Sequence, residues 1–246
     1  MRIAHISDLH MCSSPDTYIY GVNPYENMMR AVSLLKDRQD IELGVITGDI
    51  SNDGSLGSYL IVDEILSRFD FPIYIINGNH DNADELLKKP YSKMRYAPSF
   101  DLGEIHFFSL NTVAIADDGT NRSRGNISET EFARLRNFIS KTAGPIVVLM
   151  HHPATLTHSW LDRRILEDRE RFIECVTASD KVIAVLSGHN HYATTKRLKG
   201  CLFSTAPSVS TSFSVNLKPF EEANAPGFSI VDINIDSSCY AEEWPI

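Results

Sequence analysis

The chain has 246 residues, 43% hydrophobic and 22% charged, an ordinary soluble globular composition long enough for a substantial core. Its formal net charge of −9 argues against a nucleic-acid polymer as partner, because such binding neutralises many phosphates with Lys and Arg. Four cysteines without a CxxC pair argue against a disulfide framework or zinc knuckle. With no secretory h-region after Met1 and no apolar stretch of membrane-spanning length, a cytoplasmic protein with no membrane partner is expected. No linker or composition shift divides the chain, so residues 1–246 are expected to form a single domain.

In chain order, Arg2 to Ser7 is a short strand-like run ending in Asp8-Leu9-His10. Asn23-Pro24-Tyr25-Glu26 has the order N-cap, first-turn proline and Glu, and Met28, Val32 and Leu35 continue an apolar helical face. Leu43 to Thr47 is a second strand, and a helix is expected around Leu56 to Phe69. Ile73 to Ile76 completes a βαβαβ opening with a parallel sheet. Phe100 to Leu102 and Glu104 to Leu110 pair around Gly103, and Ser128 with Glu131 has the spacing of a capping box before Phe132, Leu135, Phe138 and Ile139. The strand Pro145 to Met150, a helix near Leu161 to Thr177 and the strand Lys181 to Ser187 follow. Thereafter strands dominate, at Ala193 to Leu198, Cys201 to Thr205, Gly227 to Ile235 and Tyr240 to Trp244, which suggests a second sheet packed on the first. The stretch 206–225 resolves into no single element and is expected to form a rim or lid.

The chemistry concentrates at strand ends. Asp8 and His10, Asp49, Asn79, His151, and His189 with His191 each lie at or just past the carboxyl end of an apolar run. In layered α/β proteins the ligand crevice lies outside those ends, so one edge would gather all seven. Gly48, Gly78 and Gly188 precede ligands where the chain must turn or approach something closely. An extended Asp8-Leu9-His10 would send both polar side chains to one face, and His189-Asn190-His191 could serve one ion or divide between two. Taken singly, Asp8 and His10 would read as solvated turn residues and Asn79 as a left-handed turn. Five such groups in order point instead to metal ligation.

Asp8-x-His10, Gly48-Asp49, Gly78-Asn79-His80-Asp81, His151-x-Pro153 and Gly188-His189-x-His191 resemble the calcineurin-like metallophosphoesterase family. The resemblance implies a four-layer αββα sandwich with two mixed β-sheets and a dinuclear site at the carboxyl ends of the strands. It implies that Asp8, His10, Asp49 and His191 hold one ion, and Asp49, Asn79, His151 and His189 the other, with Asp49 bridging. Mixed imidazole and oxygen ligands suit two divalent or trivalent ions of Mn, Fe or Zn. Within the family, Tyr20-Gly21-Val22-Asn23, His158-Ser159-Trp160-Leu161-Asp162 and Ala225-Pro226-Gly227-Phe228 look most like bacterial 3′,5′-cyclic-nucleotide phosphodiesterases and glycerophosphodiesterases. Asn77 and Ala154 depart from prolines common in the family, and the absence of Asp-Arg-Gly after Asp49 disfavours a protein phosphatase.

The implied reaction is attack on a small phosphodiester by a hydroxide between the ions, best matched to cyclic AMP giving 5′-AMP. A glycerophosphodiesterase or broad-specificity phosphoesterase is the alternative. His80 and Asp81 are the expected catalytic pair, His80 protonating the leaving alkoxide and Asp81 orienting it. Two divalent ions offset by Asp8, Asp49 and hydroxide leave one formal positive charge, which a diester monoanion neutralises; a monoester dianion overshoots unless one ion is ferric or basic residues lie nearby. Asn79, His80, His152, His158, Trp160 and Tyr20 are candidate substrate contacts, while His5 and His106 read as structural. A catalytically silent scaffold would be expected to lack ligands, and all seven are present. The oligomeric state is left open.

Overall fold

A computed structural model describes residues 1–116, 119, 123–215, 225–234 and 238–246. The first half alternates strand and helix: β1 (Arg2–Ile6), α1 (Pro24–Leu35), β2 (Leu43–Thr47), α2 (Leu56–Leu66), β3 (Ile73–Ile76), α3 (Ala83–Lys88) and β4 (Met94–Arg95). A hairpin of β5 (Ser99–Leu102) and β6 (Ile105–Ser109) leads to α4 (Glu129–Lys141), β7 (Ile146–Leu149), α5 (Arg169–Thr177) and β8 (Val182–Ser187). Four strands close the chain: β9 (Thr194–Leu198), β10 (Cys201–Thr205), β11 (Gly227–Ile233) and β12 (Cys239–Pro245).

Local chemistry sets these boundaries. Asn23 accepts from the Glu26 N–H with Pro24 at the first helical position, while Ser55, Asn82 and Ser128 cap α2, α3 and α4 in the same way. The expected capping box is half formed. Ser128 accepts from the Glu131 N–H, but the Glu131 carboxylate reaches the Asn111 N–H and Arg134.

The expected helix over Leu161 to Thr177 is divided. A 3₁₀ turn spans Trp160–Arg163 and α5 begins at Arg169. Between them the N–H groups of Leu166 and Glu167 donate to the carbonyls of Pro153 and Gly125, so neither is free for a helical bond.

Two six-stranded sheets result, ordered β12-β11-β1-β2-β3-β4 and β5-β6-β7-β8-β10-β9. In the first sheet the parallel strands β1–β2–β3–β4 run out to one edge and antiparallel β11 and β12 lie on the other side; in the second, parallel β6–β7–β8–β10 are flanked by antiparallel β5 and β9. The strand-rich tail is therefore not one second sheet; β11 and β12 return to pair beside β1. Ile235, assigned to this strand from sequence, lies outside the described residues, as does the 216–224 part of the expected rim or lid.

Three apolar clusters define the layers. Met28, Val32 and Leu35 of α1 and Val62 and Leu66 of α2 pack on Ile6, Ile46 and Ile75. Phe132, Leu135, Phe172 and Val176 of α4 and α5 pack on Ile146, Val148 and Val185. Between the sheets, Ile3, Val45 and Val231 meet Phe107, Val147 and Leu186. Helices therefore flank a pair of facing sheets, and each fully buried Leu, Ile or Phe contributes about 1.5–3 kcal/mol. Among the described residues, no helix is long and apolar enough to cross a membrane.

Candidate metal centre

The carboxyl ends of β1, β2 and β3 in one sheet and of β7 and β8 in the other converge on one edge. Backbone bonds tie the loops there: Asp8 N–H to Gly48 O, His10 N–H to Asp49 O, and Gly188 N–H to His151 O, at 3.1, 2.9 and 3.0 Å. The sheets are joined through the site itself, because His151 Nδ1 donates to the Thr47 carbonyl at 2.7 Å.

Five candidate ligands have left-handed backbone: Asp8 (φ 54°), His10 (45°), Asp49 (50°), His189 (70°) and His191 (51°). Asp8-Leu9-His10 is therefore not extended, and its two side chains converge through paired left-handed residues. Such residues cost on the order of 1 kcal/mol each, so together they approach a domain's net stability and persist only because the loops are tied. Close approach explains two of the glycines. A Cβ at Gly78 would lie 2.1 Å from Asp49 Oδ1, and one at Gly188 would lie 1.8 Å from Ser7 Oγ.

The ligand atoms fall into overlapping groups, each within 4.8 Å: Asp8, His10 and His191; Asp8, Asp49 and His151; His10, Asp49 and His80; and His151, His152 and His189. Asp49 Oδ2 lies 3.7 Å from His10 Nε2 and 3.4 Å from His151 Nε2, while Oδ1 accepts from the His80 N–H at 2.8 Å. Asp8 Oδ1 is 3.4 Å from His191 Nε2, and Asp8 Oδ2 accepts from the His189 N–H at 2.8 Å. Asn79 Oδ1 is 3.2 Å from His151 Nε2. His189 and His191 divide between the groups: His189 Nδ1 faces His151 Nε2 at 3.2 Å, and His191 Nε2 faces His10 Nε2 at 3.0 Å.

These residues fit a cation. Two imidazole nitrogens facing one another can share at most one proton, whereas an ion between them would accept both lone pairs. Among the described residues Asp8 Oδ1 is buried with no hydrogen-bond partner, and a ligated ion would satisfy it. His191 Nδ1 donates to the Thr211 carbonyl at 2.6 Å, as His151 Nδ1 does to Thr47, so both rings turn an Nε2 lone pair inward. The clusters are suited to one or two divalent ions.

Electrostatics point the same way. Burial holds His10 down at about 3, against the opposing pull of Asp49. Burial also lowers His189 far below the ordinary histidine range, helped by His151 and more weakly by His191 and Arg164. For His151 burial is outweighed by Asp49, which raises it to about 9. Burial alone would raise Asp8 and Asp49, but His191 pulls Asp8 down and His151 pulls Asp49 down. Ionised carboxylates beside the neutral imidazoles of His10 and His189 are the donor set a transition metal prefers, and His151 would release its proton on binding one.

Asp81 has a different place from the one expected. Its carboxylate accepts from the N–H groups of Ile50, Ser51 and Gly78 and from the Tyr59 hydroxyl, tying the Asp49 loop to the Asn79 loop. Burial first, and Asp49 second, raise it to about 6. His80 is oriented by a backbone carbonyl, its Nδ1 lying 3.1 Å from Asn52 O.

A cavity of about 100 Å³ opens over the centre, lined by His10, Asp49, Asn79, His80, His189 and His191 together with Ile19, Tyr20, Arg164, Thr211 and Phe213. Tyr20 stands at the mouth, 69% exposed. His152, His158 and Trp160 do not line it. His152 is buried against Thr112 Oγ1 at 2.9 Å, His158 is exposed with its N–H on Asp162, and Trp160 Nε1 donates to Ser214 O. Sequence reasoning missed Thr211 and Phe213, in a stretch without strand or helix periodicity, and Arg164, which falls in the segment read as one helix and here follows the 3₁₀ turn. Ser208 was also missed: its hydroxyl donates to the Asp8 carbonyl and accepts from the N–H groups of Ser210 and Thr211.

The chain is similar to proteins of known name. A probable cyclic nucleotide phosphodiesterase of Vesicomyosocius okutanii is 28% identical over 86% of this chain and 88% of its own. A 3′,5′-cyclic-nucleotide phosphodiesterase of Nostoc is 26% identical over 97% and 90%. Among solved structures, a dimetal phosphatase from Danio rerio has the same fold at 14% identity, with a TM-score of 0.66 over 94% of this chain and 91% of that one. A family model for calcineurin-like phosphoesterases matches residues 1–193, a span that holds all seven candidate ligands, and the chain belongs to that family.

Proposed function

We propose that the chain is a two-metal phosphodiesterase acting on small phosphodiesters, with 3′,5′-cyclic AMP, hydrolysed to 5′-AMP, as the leading substrate. The observation that carries this reading is the single oxygen Asp49 Oδ2, set 3.7 Å from His10 Nε2 and 3.4 Å from His151 Nε2 between two ligand groups. Asp8, His10, Asp49 and His191 would hold one ion, and Asp49, Asn79, His151 and His189 the other. Bound ions would polarise the phosphoryl oxygens and acidify water for attack at phosphorus.

The chain's own residues supply the rest. His80 borders both the cavity and a neighbouring groove of about 580 Å³ lined by Asp53, Asn77, Asn82 and Asn111. Its Nδ1–H donates to the Asn52 carbonyl, so in the imidazolium form the second proton, on Nε2, would pass to the departing alkoxide. An acidic, amide-rich groove suits a neutral, hydroxyl-bearing leaving portion such as a ribose. The space next to the ligand groups suits a phosphoryl group, and the base would lie toward Ile19 and Tyr20. The cyclic-nucleotide names of the relatives favour this substrate.

The test is a panel of cyclic nucleotides, glycerophosphodiesters and monoesters assayed with manganese, beside Asp49→Ala. Turnover of cyclic AMP that disappears in Asp49→Ala is expected. Turnover of glycerophosphodiesters without cyclic nucleotides would move the assignment to the former. Undiminished hydrolysis by Asp49→Ala would end the two-metal reading.

A further inference from the structure

Arg164 brings a fixed positive charge to a cavity whose other lining residues, among those described, include neither lysine nor arginine. It lines the same space as His80, His189 and Asn79. The 3₁₀ turn Trp160–Arg163 puts it there: the Arg164 N–H donates to the Leu161 carbonyl at 2.9 Å, and its guanidinium carbon lies 5.8 Å from the Trp160 ring centre. Trp160 is itself pinned by its bond to Ser214 O.

The carboxylate nearest in sequence is already engaged, because Asp162 accepts from the N–H and hydroxyl of Thr157 and the N–H of His158. Arg134, Arg169 and Arg171 each pair with a glutamate, whereas Arg164 forms no ion pair among the described residues. An arginine with its planar donors uncommitted, at the wall of a phosphoryl-sized cavity, matches two oxygens of one phosphate.

We propose that Arg164 is the anion-recognition residue of this cavity and that it extends the substrate class to dianionic phosphate monoesters. The proposal rests on the phosphoesterase reading above. Formal charge separates the two substrate classes. Two divalent ions, two carboxylates and an attacking hydroxide leave one positive charge, enough for a diester. Arg164 adds the second, and a monoester dianion then no longer overshoots. In the monoester reaction a water oxygen bonds to phosphorus and the bond to the ester oxygen breaks. One water proton passes to the leaving alcohol, and the products are the alcohol and inorganic phosphate.

The experiment compares wild type, Arg164→Lys and Arg164→Gln, reconstituted with manganese, on p-nitrophenyl phosphate and on bis-p-nitrophenyl phosphate. Arg164→Gln is expected to lower kcat/KM for the monoester by about 10- to 100-fold, as for a lost charge-assisted hydrogen bond to a dianion, and to lower that for the singly charged diester by a clearly smaller factor. Arg164→Lys is expected to fall between, keeping the charge without the fork. Calorimetric binding of inorganic phosphate gives a readout independent of turnover. Wild type should bind more tightly at about pH 8 than at about pH 6, as phosphate gains its second charge, and Arg164→Gln should lose most of that gain. Equal losses on both esters, or phosphate binding unchanged in Arg164→Gln, would overturn the proposal. A wild type that binds phosphate through Arg164 yet hydrolyses neither ester would support the anion site and refute the phosphoesterase reading.

Discussion

Gly78→Ala is the sharpest probe of how the centre is assembled. The added Cβ would lie 2.3 Å from Asp49 N and 2.1 Å from Asp49 Oδ1, more than 1 Å inside the ordinary contact limit of 3.4 Å. Both neighbours are fixed, one as backbone and the other as a carboxylate oxygen that accepts from the His80 N–H at 2.8 Å. Across the same gap the Ser51 N–H donates to Asp81 Oδ1 at 2.9 Å. Relief therefore requires the two loops to part by about 1 Å, which stretches both bonds beyond useful length.

Each is a buried bond to a carboxylate worth about 1.5–3 kcal/mol, so a loss of roughly 3 kcal/mol or more is expected, at or above the usual cost of overpacking. For a chain of this size that corresponds to a Tm lower by about 6–12 °C. A 1 Å displacement at a reacting centre costs about 10²-fold in rate, so turnover with manganese should fall by that order. Calorimetric melts, metal content and diester turnover would be measured on the same preparations. Gly103→Ala is the control: φ is 59°, but nothing lies within 4 Å of its Cβ, so about 1 kcal/mol and no change in turnover is expected. Should Gly78→Ala melt with wild type and keep its rate, the close approach of the Asn79 and Asp49 loops would be refuted.

Two further outcomes are expected. His80→Asn should reduce turnover by about 10²–10⁴-fold while metal content stays at the wild-type level, because the His80 contact to Asp49 is made by its backbone N–H; parallel loss of metal and rate would contradict the proton-donor role. His5, fully buried beside Thr47 Oγ1, is lowered by burial from 6.5 to about 3. Below the unfolded value the unfolded chain binds a proton that the folded chain refuses, so stability falls as pH drops from 6.5 toward 3. At about pH 4.5 this amounts to about 2–3 kcal/mol, and denaturant melts of His5→Gln should show a flatter acid limb than wild type. Parallel pH profiles would refute it.

The strand runs and their terminal ligands were legible because burial on both faces writes continuous apolar segments that stop where polar chemistry begins. Asn23 and Ser128 were legible as caps for an equally local reason. What escaped was decided by distant partners. α3 and β4 are short, and the loop entering β4 is held by Asp63, which accepts from the N–H groups of Ser92, Lys93 and Met94. The break before α5 follows from bonds to Pro153 and Gly125, which no periodicity in Leu161 to Thr177 announces. Asp81 sits next to His80 in sequence, yet its backbone donors come from two different loops. The left-handed ligands were invisible because Asp and His give no such signal by themselves. Thr211 aims His191 from a stretch with no pattern at all.

The family match ends at residue 193, but the centre does not. Thr211 contributes no ligand and still sets the rotation of one, through its carbonyl and hydroxyl at 2.6 and 3.0 Å from His191 Nδ1. Changes of length beyond Thr211 can reshape the approach to the cavity without turning that ring. One residue inserted between Ala206 and Thr211 would draw the Ser208 hydroxyl from Asp8 and Thr211 from His191 together. Such a chain would keep the whole ligand inventory and lose the alignment that makes it a site.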